Sequence, residues 1–368
     1  MTYGFSGTAI EAAHSLNMKF FSVANRSLAT ESEMRADEEL YNVRLFHSDI
    51  ARSPFSFRQN YQAYKQIIQI IRENDVDYIH CNTPVGGILG RLVGKKCKVK
   101  KVIYQAHGFH FYKGAPKKNW LLYYPVEKWL ARYTDALITI NREDFELAKT
   151  KLKLRRNGKV YYVPGVGIDT SQYNSVNVSG DEKRRELGIP LDAFVLISAG
   201  ELNQNKNNTV IISAMEKLKR NDIQYVLCGV GPLEGMLREQ VHKAGLQNNV
   251  HFLGYRVDIK ELFQMADCFV MTSYREGLSR SIMEAMASGL PCIASKIRGN
   301  TDLLDDTEGG YLCDVDDVSA YAEKINLLAS HAELREAMGR YNLNAIRKFN
   351  MESVTAEIRN IYETEFRG

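Results

Sequence analysis

Ser273-Tyr-Arg-Glu276-Gly-Leu-Ser-Arg-Ser-Ile-Met-Glu284-Ala-Met-Ala-Ser-Gly-Leu-Pro291 is the stretch whose reading decides the fold. An apolar strand-like run ends near Met271, a short glycine-containing loop follows, and a helix is expected from about Ser279, with alanine and methionine at close-packing positions. A helix N-terminus at the carboxyl end of a parallel strand is the repeating unit of α/β domains. Backbone N–H groups from Leu278 to Ser281, with the helix dipole behind them, suit a diphosphate. Seven residues separate Glu276 from Glu284, which puts Glu276 in the loop and Glu284 in the second helical turn. A carboxylate accepts two hydrogen bonds from a vicinal diol, so Glu284 suits ribose hydroxyls and Glu276 the hydroxyls of a second sugar. The bland alternative is a solvated helix residue and a dipole-favoured acid.

Outward from this stretch, strand-like runs alternate with amphipathic helical runs from Lys19 to about Leu312. Expected strands in the first half are Lys19–Val23, Asp77–His80, Val102–Gln105, Ala136–Ile140 and Val160–Val163. Those in the second are Phe194–Ala199, Tyr225–Cys228, Val250–Leu253, Cys268–Met271 and Pro291–Ala294. This alternation predicts two doubly wound, Rossmann-like α/β domains with parallel sheets. A helix at about 58–73 places Tyr61, Tyr64, Ile67, Ile68 and Ile71 on one face. Three helices, at about 316–328, 331–347 and 351–366, close the chain. The segment Val163-Pro-Gly-Val-Gly167 marks the boundary, giving domains 1–166 and 167–350, with 351–368 packing back on the first. The beginning is unusual, because a helix at about 8–16 precedes any strand. A first strand is therefore expected to be missing, either reduced to a stub at 1–5 or lost by shortening of a longer protein, with its glycine-rich loop.

Composition narrows the function classes. At 368 residues and 45% apolar content the chain is globular and long enough for two cores. It lacks a membrane-spanning run or a signal-peptide layout, so a cytoplasmic location is expected. Six scattered cysteines fit neither a disulfide framework nor a zinc site and read as small buried apolar residues. Residues 1–167 carry 26 Lys+Arg against 15 Asp+Glu, while the remainder carries 22 against 29. The excess concentrates in Arg91–Lys118 and Lys151–Lys159, surfaces that attract anionic lipid headgroups or nucleic acid.

Further motifs sharpen the reading. Val163-Pro-Gly-Val-Gly-Ile-Asp169, Gly200-Glu-Leu-Asn-Gln-Asn-Lys206, Leu227-Cys-Gly-Val-Gly-Pro232 and Val250-His-Phe-Leu-Gly-Tyr-Arg256 accompany the glutamate pair. The first half carries Asp77-Tyr-Ile-His-Cys-Asn-Thr-Pro84 and Gln105-Ala-His-Gly-Phe-His-Phe-Tyr-Lys-Gly114. Together these resemble the family 4 glycosyltransferases of the GT-B fold, and within them the subgroup that builds bacterial capsular and exopolysaccharide repeat units.

The resemblance implies a retaining transfer from a nucleotide sugar, most commonly a UDP-sugar, to a lipid-linked glycan, with the two domains facing across a cleft. It assigns Lys206 to the diphosphate, Glu276 and His107 to the transferred sugar, and Glu284 to the ribose. Gly277, Leu278, Ser279, Arg280, Ser281 and Gly229 complete the donor side, and Gly254, Tyr255 and Arg256 are placed near the base. Glu201 departs from the pattern, because an arginine usually follows the motif's glycine. Lys206, the helix N–H groups and Arg280 are then left to carry the leaving-group charge. His110 and His80 compete with His107. No cofactor is expected. Asp75-Val-Asp77 and Asp314-Val-Asp316 have metal-ligand spacing but occupy a strand entrance and a peripheral helix start, so no metal is expected either.

The segment Phe109–Tyr133 holds both tryptophans, six other aromatics and several lysines. Such side chains favour the lipid headgroup region, so His110, Lys113, Lys117, Lys118 and Trp120 are read as acceptor- or membrane-side residues. The alternative is a core helix with Leu121, Leu122, Trp129 and Leu130 facing the sheet. The expected partners are a nucleotide sugar, a lipid-linked acceptor and an anionic membrane surface at the inner face of the plasma membrane, without nucleic acid. Rival readings are a non-catalytic partner that binds nucleotide sugar without turnover, and a sugar epimerase of the same fold.

Overall fold

The computed structural model describes residues 3–155, 157–174 and 178–366. The chain forms two units, one comprising residues up to Gly167 together with those from Met351 onward, the other spanning Ile168–Asn350.

In the first unit the strands are β1 (Phe21–Ala24), β2 (Arg44–His47), β3 (Tyr78–Asn82), β4 (Lys101–Ala106), β5 (Ala136–Thr139) and β6 (Lys159–Tyr162). They are parallel but divided: β1 pairs β2, and a separate sheet runs β3-β4-β5-β6. A single sheet was expected; among the described residues no strand bridges β1 and β3. The opening helix spans Tyr3–Ser15, so residues 3–5 are helical and do not form a strand stub. Met1 and Thr2, the rest of that stub, lie outside the described residues. Ala9, Ala12, Ala13 and Leu16 of this segment pack with Ile103, Ile138, Val354, Ile358 and Ile361. The helix Met351–Phe366 is thereby built into this core, and Glu365, 4% exposed, accepts from Tyr161 Oη at 2.7 Å and Lys101 Nζ at 3.2 Å.

The second unit holds β7 (Phe194–Ala199), β8 (Ile223–Cys228), β9 (Val250–Gly254), β10 (Cys268–Met271), β11 (Cys292–Ser295) and β12 (Gly310–Cys313), ordered β12-β11-β10-β7-β8-β9, all parallel. Alternation along β7 feeds two cores: Phe194 and Leu196 enter one, Val195 and Ile197 the other. Helices Thr209–Leu218 and Val318–Ser330 cover the first face, and helix Arg280–Ala287 covers the second with Ile282, Met283, Ala285 and Met286. Strand order reverses between β7 and β10, and in open parallel sheets ligands bind at the carboxyl ends beside such a switch point. Five of the cysteines are buried and Cys97 is half-buried; burial pushes the Cys81 and Cys228 thiols up to about 12.

Two sequence expectations need correcting. Arg91 was counted with the basic surface, yet it is 1% exposed, gripped by Glu127 at 2.7 and 3.0 Å, and stacked over Tyr104. Tyr61, placed on the apolar face of its helix, is 60% exposed and stacks on Tyr64, which faces the core. Arg156, in the second basic stretch, lies outside the described residues.

Candidate active site

The loop after β7 and the loop after β10 meet at the switch point. Gly200 leaves β7 with φ +157°, and an added Cβ there would sit 3.1 Å from Lys206 Cε. The two loops are stitched together by Tyr274 N–H to Asn205 O at 2.8 Å and Asn205 Nδ2 to Arg275 O at 3.0 Å. The Thr272 hydroxyl adds a tie, lying 2.8 and 2.9 Å from the carbonyls of Lys206 and Asn207. Across this seam Lys206 Nζ reaches Glu276 Oε1 at 2.8 Å, with both side chains largely buried. Gly200, Lys206, Thr272 and Ser273 line a small crevice. The Ser273 hydroxyl is buried there with no hydrogen-bond partner among the described atoms, an unmet valence that a polar ligand or water would satisfy.

The helix following Glu276 begins one residue later than expected, at Arg280, because Ser279 is its N-cap and accepts from Ile282 N–H at 3.3 Å. Arg280 and Ser281 occupy the first turn, where N–H groups have no intrahelical acceptor. Ser281 Oγ donates to Ala199 O at 3.1 Å, which fastens this turn to the end of β7. Leu278 packs into the core beneath. Gly299, at φ +84°, lies so close to Gly277 that a Cβ would fall 2.4 Å from the Gly277 carbonyl oxygen. The neighbouring Arg298, 8% exposed, donates Nε–H to Glu276 O at 3.3 Å.

Glu284 forms a second cluster. Its Oε1 accepts from Arg280 Nε at 2.9 Å, so Arg280 is engaged along its own helix by Glu284. Tyr173, 7% exposed, also faces this carboxylate; burial and then the Glu284 charge and hydrogen bond push its phenol well up. The β8 loop packs against the end of β7. Gly229, at φ +151°, lies where a Cβ would be 1.9 Å from Gly200 O, and its N–H donates to Gly254 O at 2.7 Å. Of the residues expected near a base, Tyr255 is 77% exposed, whereas Arg256 is held bidentate by Asp258 at 2.7 and 2.5 Å. That pairing, with Lys183, holds the Asp258 carboxyl down to about 2. The Glu201 carboxylate accepts from Asn203 Nδ2 at 2.9 Å.

In the first unit His107 follows β4, and its Nε2 is 3.0 Å from Asn82 Oδ1 at the end of β3. Burial lowers its pKa to about 4. His80 Nδ1 lies 2.6 Å from Tyr362 Oη, and burial followed by the His107 charge lowers it likewise to about 4. Both rings are thus neutral near pH 7. His110 packs on Tyr123. Lys113, Lys117 and Lys118 are exposed, but Trp120 turns inward, packing on Phe111 and Tyr124 and donating Nε1–H to Tyr112 O at 3.2 Å. Of the aspartates with metal-ligand spacing, Asp77 pairs with Lys100 at 2.8 Å, and Asp316 accepts from Tyr274 Oη at 2.7 Å.

Sequence reasoning did not single out Tyr173, Arg298, Thr272 or Ser273 as site residues. Arg298-Gly299, shortly after β11, carries a detectable signal, a cation beside a glycine in the loop after a strand, whereas Tyr173 reaches Glu284 only through tertiary packing.

Comparison with known proteins bears on the family and the fold. The family described as glycosyl transferases group 1 matches residues 179–345, and glycosyl transferase 4-like matches residues 5–141. The chain is 40% identical to EpsD of Bacillus subtilis (strain 168), whose name assigns it provisionally to the glycosyltransferases, over 86% of this chain and 84% of EpsD. It is 26% identical to the Escherichia coli UDP-Gal:alpha-D-GlcNAc-diphosphoundecaprenol alpha-1,3-galactosyltransferase, over 87% of this chain and 84% of that protein. In fold it is similar to Anabaena HepE, solved in complex with UDP, with TM-score 0.80 at 19% identity, covering 98% and 96% of the two chains. With two parallel α/β units, a likeness to solved GT-B folds and a relative this similar along most of its length, the chain belongs to the family 4 glycosyltransferases.

Proposed function

We propose that this glycosyltransferase moves a sugar, with retention of configuration, from a UDP-sugar to a lipid-linked saccharide during exopolysaccharide or capsule assembly. The observation that carries this reading is the switch-point crevice, where Lys206, Glu276 and the first turn of helix Arg280–Ala287 are held together by the ties described above. A cation beside unpaired helix N–H groups stabilises a departing diphosphate without a divalent ion. The C1–O bond to the diphosphate breaks, and the acceptor hydroxyl oxygen bonds to C1 on the same face. Its proton passes to an oxygen of the departing β-phosphate, so the products are a glycoside and a nucleoside diphosphate. Glu276 holds the sugar hydroxyls, Glu284 the ribose and Tyr255 the base, and His107 is the first unit's substrate contact. The UDP complexes of HepE support uridine, and the undecaprenol-linked relative supports a lipid diphosphate acceptor and, with it, a working position at the inner membrane surface.

The test is release of nucleoside diphosphate from a panel of UDP- and GDP-sugars, with and without a polyprenyl-diphosphate-linked sugar, in buffer containing EDTA. Acceptor-dependent release from a UDP-sugar is expected, with the product's anomeric configuration unchanged by NMR. Exposed Glu201, standing where a cation was expected, favours a second reading in which donor binds without turnover. Measurable donor binding with no release from any donor would establish that reading instead.

A further inference from the structure

The first unit carries a basic pocket remote from its candidate substrate edge. Its volume is about 370 Å³, and Lys95, Lys98, Arg132, Tyr133, Arg155 and Val102 are among its lining. These residues come from the end of helix Pro84–Cys97, the turn before β5 and the loop before β6, so the pocket lies at the amino ends of β4, β5 and β6. His107 lies at the opposite, carboxyl edge. Four cations meet here, and among the described residues Arg155 is the lining cation with a carboxylate in reach, Asp135 at 3.4 Å. Lys95 Nζ donates to Tyr133 Oη at 2.9 Å and lies over the same ring.

An apolar surface adjoins it. On helix Lys117–Leu130, Leu121 is 81% exposed, Leu122 48%, Val126 40% and Trp129 46%. These positions, with exposed Pro125, share one helical face by 3.6-residue periodicity, while Tyr124 and Leu130 face the core. The core-helix alternative therefore fails for Leu121, Leu122 and Trp129. Exposed Lys117 and Lys118 stand at one end of the stripe and exposed Lys128 and Arg132 at the other. Trp129 packs edge-on against Tyr133, a wall of the basic pocket, with centroids 5.5 Å apart. Stripe and pocket are thus one continuous surface.

We infer that this surface docks the chain on an anionic phospholipid bilayer, the pocket taking a lipid phosphate and the Leu121–Trp129 face entering the headgroup–acyl boundary. The inference deepens the membrane reading above by naming the surface and the lipid chemistry. Charge complementarity selects the occupant: an apolar stripe with lysines at both ends, an interfacial tryptophan and an adjoining site of four cations matches a negatively charged lipid surface. A nucleic acid would use the charges but leave the leucines in water, and a second copy would cover the leucines but set these cations against their like.

Vesicle sedimentation tests it, using the full chain with phosphatidylglycerol–phosphatidylcholine vesicles, phosphatidylcholine vesicles and inorganic phosphate as competitor. The variants are Lys98→Gln/Arg132→Gln for the pocket and Leu121→Gln/Leu122→Gln for the stripe. Thermal melts and UDP binding confirm that each is folded, and activity on a short soluble acceptor reports separately on catalysis. Wild type is expected to prefer the anionic vesicles and to lose binding at high salt. The pocket variant should bind about 30-fold more weakly and the stripe variant at least about tenfold. Equal binding to both vesicle types, variants within twofold of wild type, or phosphate binding or self-association without vesicle binding would each overturn the inference. A chain that transfers sugar to the soluble acceptor yet ignores vesicles would lose this inference alone.

Discussion

Lys206 Nζ lies 2.8 Å from Glu276 Oε1, joining the loop after β7 to the loop after β10 across the point where strand order reverses. The cation is therefore held in place by the acid assigned to the sugar. Replacing Lys206 by Ala removes the countercharge proposed for the diphosphate and leaves Glu276 partly buried without its partner. Steady-state kinetics should show kcat/KM falling by about 10²–10³, with Lys206→Arg recovering part of the loss.

Gly229 and Gly200 approach so closely that any side chain at 229 strikes backbone. Gly229→Ala is expected to destabilise the second unit by about 3 kcal/mol or more, measured by urea unfolding, and to weaken UDP binding through displacement of Gly200 and Lys206.

Tyr173 is a positioning residue for Glu284, together with Arg280. Tyr173→Phe removes the phenol oxygen that faces the carboxylate which, in the proposed function, holds ribose in the ground state and the transition state alike. The donor KM should rise about fivefold with kcat nearly unchanged; a drop in kcat at constant KM would contradict this role.

His80 and His107 titrate at about 4, below the usual histidine value, because both are buried. Between their folded values and about 6.5 the unfolded chain binds more protons than the folded one, so stability rises with pH through this window. The contribution is fully present above about pH 6.5 and lost as pH falls toward 4. Scanning calorimetry should show the first unit's Tm falling on the order of 5 °C between pH 7 and pH 5, and His107→Asn should flatten that dependence.

Most of the architecture was legible because fully buried parallel strands are continuous apolar runs. Phe194–Ala199 and Cys268–Met271 were read to the residue, since helices cover both faces of their sheet. Arg44–His47 and Gly310–Cys313 escaped notice: each has four residues, opens on a polar or glycine residue and sits at a sheet edge, too short for a period to register. Near the candidate site, spacing along one loop and helix placed Glu276, Ser279 and Glu284, because those relations are local. The pairing of Lys206 with Glu276, the capture of Arg256 by Asp258 and the inward turn of Trp120 depend on which loops and rings meet. The stripe on helix Lys117–Leu130 illustrates the same limit. Its composition suits a core or a membrane equally, and only the exposure of Leu121 and Trp129 separates the two.

The crevice at Lys206 and Glu276 is proposed to receive the donor diphosphate. Isothermal titration of UDP into the wild-type chain and into Lys206→Ala, both in EDTA, tests it most directly. Binding to the wild type without metal and a loss of at least about tenfold in the variant are expected. Equal UDP affinity in the two chains would contradict it.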